Sequence, residues 1–126
     1  MYKAKCLTND EIYGISYEEN IFYALPFVLT FNESIYPIDN VSNLDGIKFY
    51  KSLVTNYKVA PSKADVGSQT LGQMFIKGKI AMHLSGRWLT PKYRESAKFN
   101  WDVVTFPGIV PCDASGWAIS KQSKNK

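Results

Sequence analysis

The chain has one histidine, two cysteines and no apolar run long enough to span a bilayer. Each scarcity excludes something. A single His cannot complete a zinc site with Cys6 and Cys112, and neither cysteine belongs to a C-x-x-C pair. Two cysteines so far apart make no disulfide framework; they are two free thiols or one bridge. A spanning helix needs roughly 20 consecutive apolar residues, and the longest stretch, Ile21 to Phe31, is broken by Pro26 and Thr30. The opening Met1-Tyr2-Lys3-Ala4-Lys5-Cys6 is too polar for the core of a signal peptide. That sets aside an intact secretory precursor and leaves a mature or excised segment open. Internal repeats and low-complexity tracts are also missing.

Charge of one sign is not concentrated either. The chain has 15 Lys and Arg against 11 Asp and Glu, a net charge of +4. The cations are scattered, whereas a nucleic-acid-binding surface shows a clustered basic stripe. The basic end from Lys121 to Lys126 is short and reads as a solvated tail. No G-x-S-x-G elbow, phosphate loop or D-x-[DN]-x-[DN]-G calcium loop occurs. A Ser-His-Asp device would have to use His83, which falls mid-strand and reads as structural. Glu18 and Glu19 are adjacent and diverge on either a helix or a strand, so they form no glycosidase pair. The residues therefore announce no enzyme, metal or cofactor.

What is present is an ordinary globular composition: 126 residues, 45% hydrophobic, 14% aromatic, the size of a single domain. Ile12 to Tyr17 is β-branched and aromatic and reads as a strand. Glu18-Glu19-Asn20 then opens a helical stretch through Phe31, with Pro26 set to bend it or end its first part. After a loop from Asn32 to Asn43, Ser42-Asn43-Leu44-Asp45 has the form of a helix start. Leu44, Ile47, Tyr50, Leu53, Val54 and Tyr57 then repeat on one helical face. Pro61 to Gly67 reads as loop. Ser68 suits the cap of a short helix with Leu71, Met74 and Phe75 inward, stopped at Gly78. Lys79 to Ser85 alternates, with Ile80, Met82 and Leu84 on one face and Lys79, Ala81 and His83 on the other, as a strand would. A helix follows from about Arg87 to Lys98, then strands over Trp101 to Phe106 and Gly116 to Ser120. Strands separated by helices argue for an α/β domain with a partly parallel sheet.

In such sheets ligands bind outside the carboxyl ends of the strands. Trp88 follows Ser85-Gly86-Arg87 at such a strand-to-helix junction. Its indole fits two readings, a core side chain or a flat face for the C–H face of a sugar ring. Trp117, preceded by Gly116, sits at the start of a strand and admits the same two readings, while Trp101 reads as packing.

These motifs resemble a known family. Met74-Phe75-Ile76-Lys77-Gly78-Lys79-Ile80-Ala81-Met82, followed by Ser85-Gly86-Arg87-Trp88, is similar to the F-x-x-G-x-x-A-M … G-x-W pattern of extracellular solute-binding proteins of sugar ABC transporters (family 1, the maltose-binding-protein-like group). Phe99 to Pro107 and Ser115 to Asn125 resemble the strands that follow it there. The resemblance implies a periplasmic-binding-protein-like (type II) α/β lobe over residues 1–126, with a mixed, mostly parallel sheet flanked by helices. Family members are roughly three times longer, so it also implies an excised piece of a two-lobe protein.

The implied function is carbohydrate binding for an ABC importer, without covalent chemistry and without a cofactor. The implied partners are a sugar and a membrane permease, and the implied location is extracytoplasmic, in the periplasm or lipid-anchored at the outer face. By position, Trp88 would stack on sugar, with Gly86 and Arg87 in the same loop. Gly116 and Trp117 would approach the cleft, and Phe22 would supply a second aromatic. Where many members carry Gly-Gly, this chain has Asn32-Glu33, which become candidate hydroxyl partners. A ligand-presenting module for a membrane sensor and a carbohydrate-active enzyme domain are the alternative readings.

Overall fold

The computed structural model describes residues 1–32, 34–37, 39–112 and 115–125. Six α-helices occur in this part: α1 (Tyr2–Leu7), α2 (Ile21–Phe31), α3 (Val41–Thr55), α4 (Lys63–Val66), α5 (Leu71–Ile76) and α6 (Thr90–Ser96), with a 3-10 turn at Arg87–Leu89. The mixed, mostly parallel sheet expected from the sequence is not formed among the described residues. In its place are two isolated parallel bridges, Tyr13 to Ile80 and Ser16 to His83.

Around these bridges Tyr13 N–H donates to Lys79 O (3.0 Å) and Ala81 N–H to Tyr13 O (2.9 Å). Ser16 N–H donates to Met82 O and Leu84 N–H to Ser16 O, both at 2.8 Å. On the other side, Ile15 N–H donates to Val59 O at 3.1 Å. Both bridges share an offset of 67 positions, so the register is constant. They fall three residues apart, however, and both segments bend between them, at Gly14 and Ala81. An odd spacing exchanges the faces of a period-2 strand. The strict alternation expected for Lys79 to Ser85 is therefore corrected: Ile80 and His83 face one side, Met82 and Leu84 the other.

Each side carries its own apolar cluster. On one, Tyr17, Ala24, Phe27, Tyr50, Leu53 and Val59 pack together, with Met82, Leu84 and Phe106 against them. On the other, Leu71, Met74, Phe75, Ile80 and Tyr93 form the centre, with Tyr13, Leu89 and Trp101 around it. Helices thus lie on both sides of the paired segments.

The helix caps explain where the elements start. Asn20 accepts from Tyr23 N–H and opens α2, which runs through Pro26 rather than ending there. The Thr30 hydroxyl donates to Pro26 O at 2.7 Å. The cap of α3 is Asn40, not Ser42; its Oδ1 accepts from Ser42 N–H at 2.9 Å. Thr70, not Ser68, caps α5 through a reciprocal capping box with Gln73. The expected loop before it contains α4, held by a second box between Ser62 and Asp65, and α1 forms in a segment that carried no helical signal. The expected helix from Arg87 starts as the 3-10 turn and reaches only Ser96, with Pro91 in its first turn.

The buried face of α3 is also rotated from the expected one. Asn43, Gly46, Tyr50 and Leu53 are buried, while Leu44, Ile47 and Tyr57 are exposed. Gly46 is the cause. A Cβ there would lie 2.5 Å from Val28 Cα, so α2 and α3 approach backbone to backbone on the glycine side. Asn43 is buried at no polar cost, because its Nδ2 donates to Ile35 O and Pro37 O (both 3.0 Å) and its Oδ1 accepts from Asn32 Nδ2 (3.2 Å).

The last two strand candidates are not strands. Residues 101–106 and 116–120 have no assigned secondary structure and no ladder partners among the described residues. Val103, Val104, Trp117 and Ile119 lie in solvent. β-Branched residues favour a strand only where a neighbouring edge supplies hydrogen bonds and side-chain contact; Trp101 and Phe106 pack on the apolar clusters, but no described edge pairs with either segment.

Gly46→Ala should destabilise the chain by about 1–3 kcal/mol despite the higher helix propensity of alanine, because the added methyl meets backbone that cannot yield. Urea unfolding of the two proteins measures the difference. Tyr93→Phe should leave stability unchanged or raise it by up to about 1 kcal/mol, since the Tyr93 hydroxyl is buried with no hydrogen-bond partner.

Candidate functional site

Two chain segments leave the bridged pair at the same end. After Ser16 the chain runs Tyr17-Glu18-Glu19 into α2, and after His83 it runs through Gly86, Arg87 and Trp88 into α6. A third turns there after Val59, through Pro61 and Ser62 into α4. Between the first and third lies an open groove of about 440 Å³, lined by Tyr17, Glu18 and Glu19 on one bank and by residues from Pro61 to Leu71 on the other.

The first bank is anchored by a pair of tyrosines. Tyr17 Oη donates to Tyr50 O (2.8 Å) and Tyr50 Oη donates to Glu18 O (2.9 Å), with their rings 4.5 Å apart. Burial pushes the Tyr17 phenol up, and burial together with the nearby Glu19 charge pushes Tyr50 up to about 12. Both phenols remain neutral donors across the working pH range. On the second bank, hydrogen bonds from Ser62 hold the Asp65 carboxyl below its usual range. Lys63 Nζ reaches Glu19 Oε2 at 3.1 Å and links the banks. Both partners are substantially exposed, so this pair adds little stability. Glu18 has no ion pair among the described residues.

The groove thus offers carboxylate acceptors, an ammonium donor, and the hydroxyl and amide groups of Ser62, Thr70 and Gln69. It was missed in the sequence because its banks come from residues some 45 positions apart, at 17–19 and 61–71. The available signals were the two capping boxes, Ser62 with Asp65 and Thr70 with Gln73, in what reads as loop.

The sequence-chosen residues lie elsewhere. Gly86 caps the 3-10 turn, and Arg87 and Trp88 are exposed, Trp88 at 66%. The indole lies over the Gly86 Cα, where any Cβ would overlap the ring; no side chain larger than hydrogen fits beneath it. The core reading of Trp88 is therefore set aside. Phe22, in the first turn of α2, is half-buried and meets Tyr23 edge-on with centroids 5.7 Å apart. Gly116 and Trp117 sit in the solvent-exposed segment over 116–120. Asn32 ends α2, and its Nδ2 is engaged with Ser34 O (2.6 Å) and Asn43 Oδ1 (3.2 Å). Its Oδ1 is the atom left for a ligand. Glu33 lies outside the described residues. None of these side chains lines the groove.

His83 does find a serine. Ser16 Oγ lies 2.7 Å from its Nδ1, the distance of a nucleophile and its base. Ser16, however, has no solvent exposure, so no substrate carbonyl reaches it, and the pair is structural. Cys6 and Cys112 are exposed free thiols. Among the described residues no cluster of three or more His, Cys, Asp or Glu could hold a metal ion, and no helix is long and apolar enough to cross a membrane.

Burial lowers His83 from 6.5 to about 4. The unfolded chain takes up a proton as pH falls through 6.5, while the folded chain does not until about 4. This contribution is thus complete above pH 6.5 and is lost progressively down to pH 4, by up to about 3 kcal/mol. Denaturation of wild type and His83→Phe across that interval should show a shallower pH dependence in the variant.

No protein-family model matches the sequence, and no curated protein sequence does. Among solved structures, an ABC substrate-binding protein from Listeria monocytogenes in complex with cycloalternan is similar over 85% of this chain, with TM-score 0.78 and 29% identity. The chain spans 30% of that protein. The likeness supports a periplasmic-binding-protein-like fold for this chain.

Proposed function

We propose that this chain is a carbohydrate-binding lobe of an ABC importer's solute-binding protein. The observation that carries the reading is the likeness to a substrate-binding protein solved with cycloalternan. The groove at the carboxyl ends of the bridged segments agrees with it. Sugar hydroxyls are donors and acceptors in close array. Glu18 and Glu19 would accept from them with charge-assisted strength, and Lys63, Thr70 and Gln69 would donate. Beyond the groove, Trp88 presents an exposed indole face suited to the C–H face of a pyranose. Arg87 adds a fork of donors beside it, and Phe22, Gly116, Trp117 and Asn32 supply further contacts.

In this reading the ligand is bound and released without covalent chemistry and without a cofactor. A second lobe would close on it by a hinge motion, and the closed form would dock on a membrane permease. The protein would then work outside the cytoplasm, in the periplasm or anchored at the outer face of the membrane. An open groove on one lobe leaves much of a sugar in water, so the chain alone should bind weakly.

Calorimetric titration with neutral mono- and oligosaccharides, cycloalternan among them, tests the proposal. Saturable binding is expected, weaker than about 1 μM, which corresponds to roughly −8 kcal/mol. Trp88→Ala and Glu18→Ala should each weaken it about tenfold, or about 1.4 kcal/mol. Silence across the panel at millimolar sugar would overturn the carbohydrate reading. Unchanged affinity in Trp88→Ala would remove the indole from the site.

A further inference from the structure

Ser16 and His83 form the last bridge before the two parallel segments diverge. The Tyr17–Glu19 bank of the groove begins one residue beyond Ser16, and the Gly86-Arg87-Trp88 loop begins three residues beyond His83. Past the bridge, few contacts hold that loop. Its backbone bonds are Leu84 N–H to Ser16 O (2.8 Å) and the turn's own Leu89 N–H to Gly86 O (3.2 Å) and Thr90 N–H to Arg87 O. The Ser16 hydroxyl and the His83 ring add a side-chain bond across the same pair, sealed from water on the Ser16 side. The ring also lies 6.2 Å from Phe75 of α5 and 6.2 Å from Tyr93 of α6. His83 therefore touches the helix into which the loop runs, as well as the strand from which it leaves.

We propose that the Ser16–His83 hydrogen bond is a positioning tie that fixes the Gly86–Trp88 loop relative to the Tyr17–Glu19 bank, holding the two parts of the ligand surface at one spacing. The pair touches no ligand and acts through the loop. Water cannot substitute for the bond, because Ser16 Oγ is closed to solvent. Loss of the bond removes a cross-segment link while the backbone bridge stays. The proposal deepens the carbohydrate reading and depends on it only for the binding measurement below.

Hydrogen exchange followed by NMR separates positioning from general stability. The reporters are the Leu84, Leu89 and Thr90 amides, each bonded within or beside the loop; the references are Ala24 in α2 and Met74 in α5. In Ser16→Ala and His83→Phe the reporters should exchange about tenfold faster, the scale of one neutral hydrogen bond, with the references unchanged. His83→Phe keeps an aromatic ring between Phe75 and Tyr93, so it tests the bond rather than the packing. His83→Asn places an amide atom where Nδ1 lies and should restore slow exchange at the reporters. Uniform acceleration of reporters and references, or none at the reporters, overturns the tie.

Calorimetry with cycloalternan is the second arm. Ser16→Ala should lower its affinity about tenfold at a pH where urea stability matches wild type, and unchanged affinity overturns the role in binding. If cycloalternan fails to bind wild type, the carbohydrate reading loses its support, and the exchange result still decides the tie.

Discussion

The structure depends on a short parallel contact between residues 13–16 and 80–83. Four backbone hydrogen bonds make this contact, and both apolar clusters are organised around it. Parallel segments are joined by long crossovers, and here the crossover is most of the chain between Tyr17 and Lys79. The contact divides the helices: α2 and α3 lie against Met82 and Leu84, α5 and α6 against Ile80 and His83. The paired bend at Gly14 and Ala81 makes this division unusual. It lets Tyr13, Ser16, Ile80 and His83 share a face at a spacing that a flat strand would split between two faces. Gly14 suits the bend because its Cα lies against Ala4 O of α1, where a Cβ would clash.

Function follows from the ends of that contact. Chains that leave a parallel pair in the same direction bring their following loops together. The groove itself lies between 17–19, which continue one of the paired segments, and 61–71, which follow Val59, whose carbonyl accepts from Ile15 N–H on the other side of that segment. The banks are rigid where they need to be: Tyr17 and Tyr50 brace one, and two capping boxes brace the other. Of the charged and polar groups between them, Ser62 and Thr70 are held in the capping boxes, Gln69 Oε1 accepts from Lys77 and Lys63 pairs with Glu19. In the proposed reading, this braced backbone with its polar groups would hold a ligand by hydrogen bonds, and the exposed indole of Trp88 would offer it a flat apolar face.

Much of the helical framework was legible in the sequence. The apolar periodicity and the residues near each start placed α2, α3 and α5 within a few residues. Tyr50, Leu53, Leu71, Met74 and Phe75 read as core and are core. The details that failed share one cause. Caps moved from Ser42 to Asn40 and from Ser68 to Thr70 because several polar residues compete at each helix start, and the bond that wins depends on the loop before it. The buried face of α3 rotated because Gly46 permits a close approach that an apolar count ignores. The strands at 101–106 and 116–120 were read from β-branched composition, which states a preference that only a partner edge can realise.

The site divides in the same way. Motif spacing led to Gly86, Arg87 and Trp88 at a strand-to-helix junction, and the structure places them on an exposed turn at that junction. The groove and the Ser16–His83 bond had no local signal, since each joins residues far apart in the chain. The amino-acid sequence by itself determined the helices, the single-domain composition and the absence of a motif for metal or covalent chemistry, because these follow from short-range spacing and residue type. Only the tertiary structure decided the parallel register, the bend that exchanges the strand faces, the groove and the burial of Ser16 beside His83. Those depend on which distant segments meet, and pairing energy between distant segments is not written in any one of them.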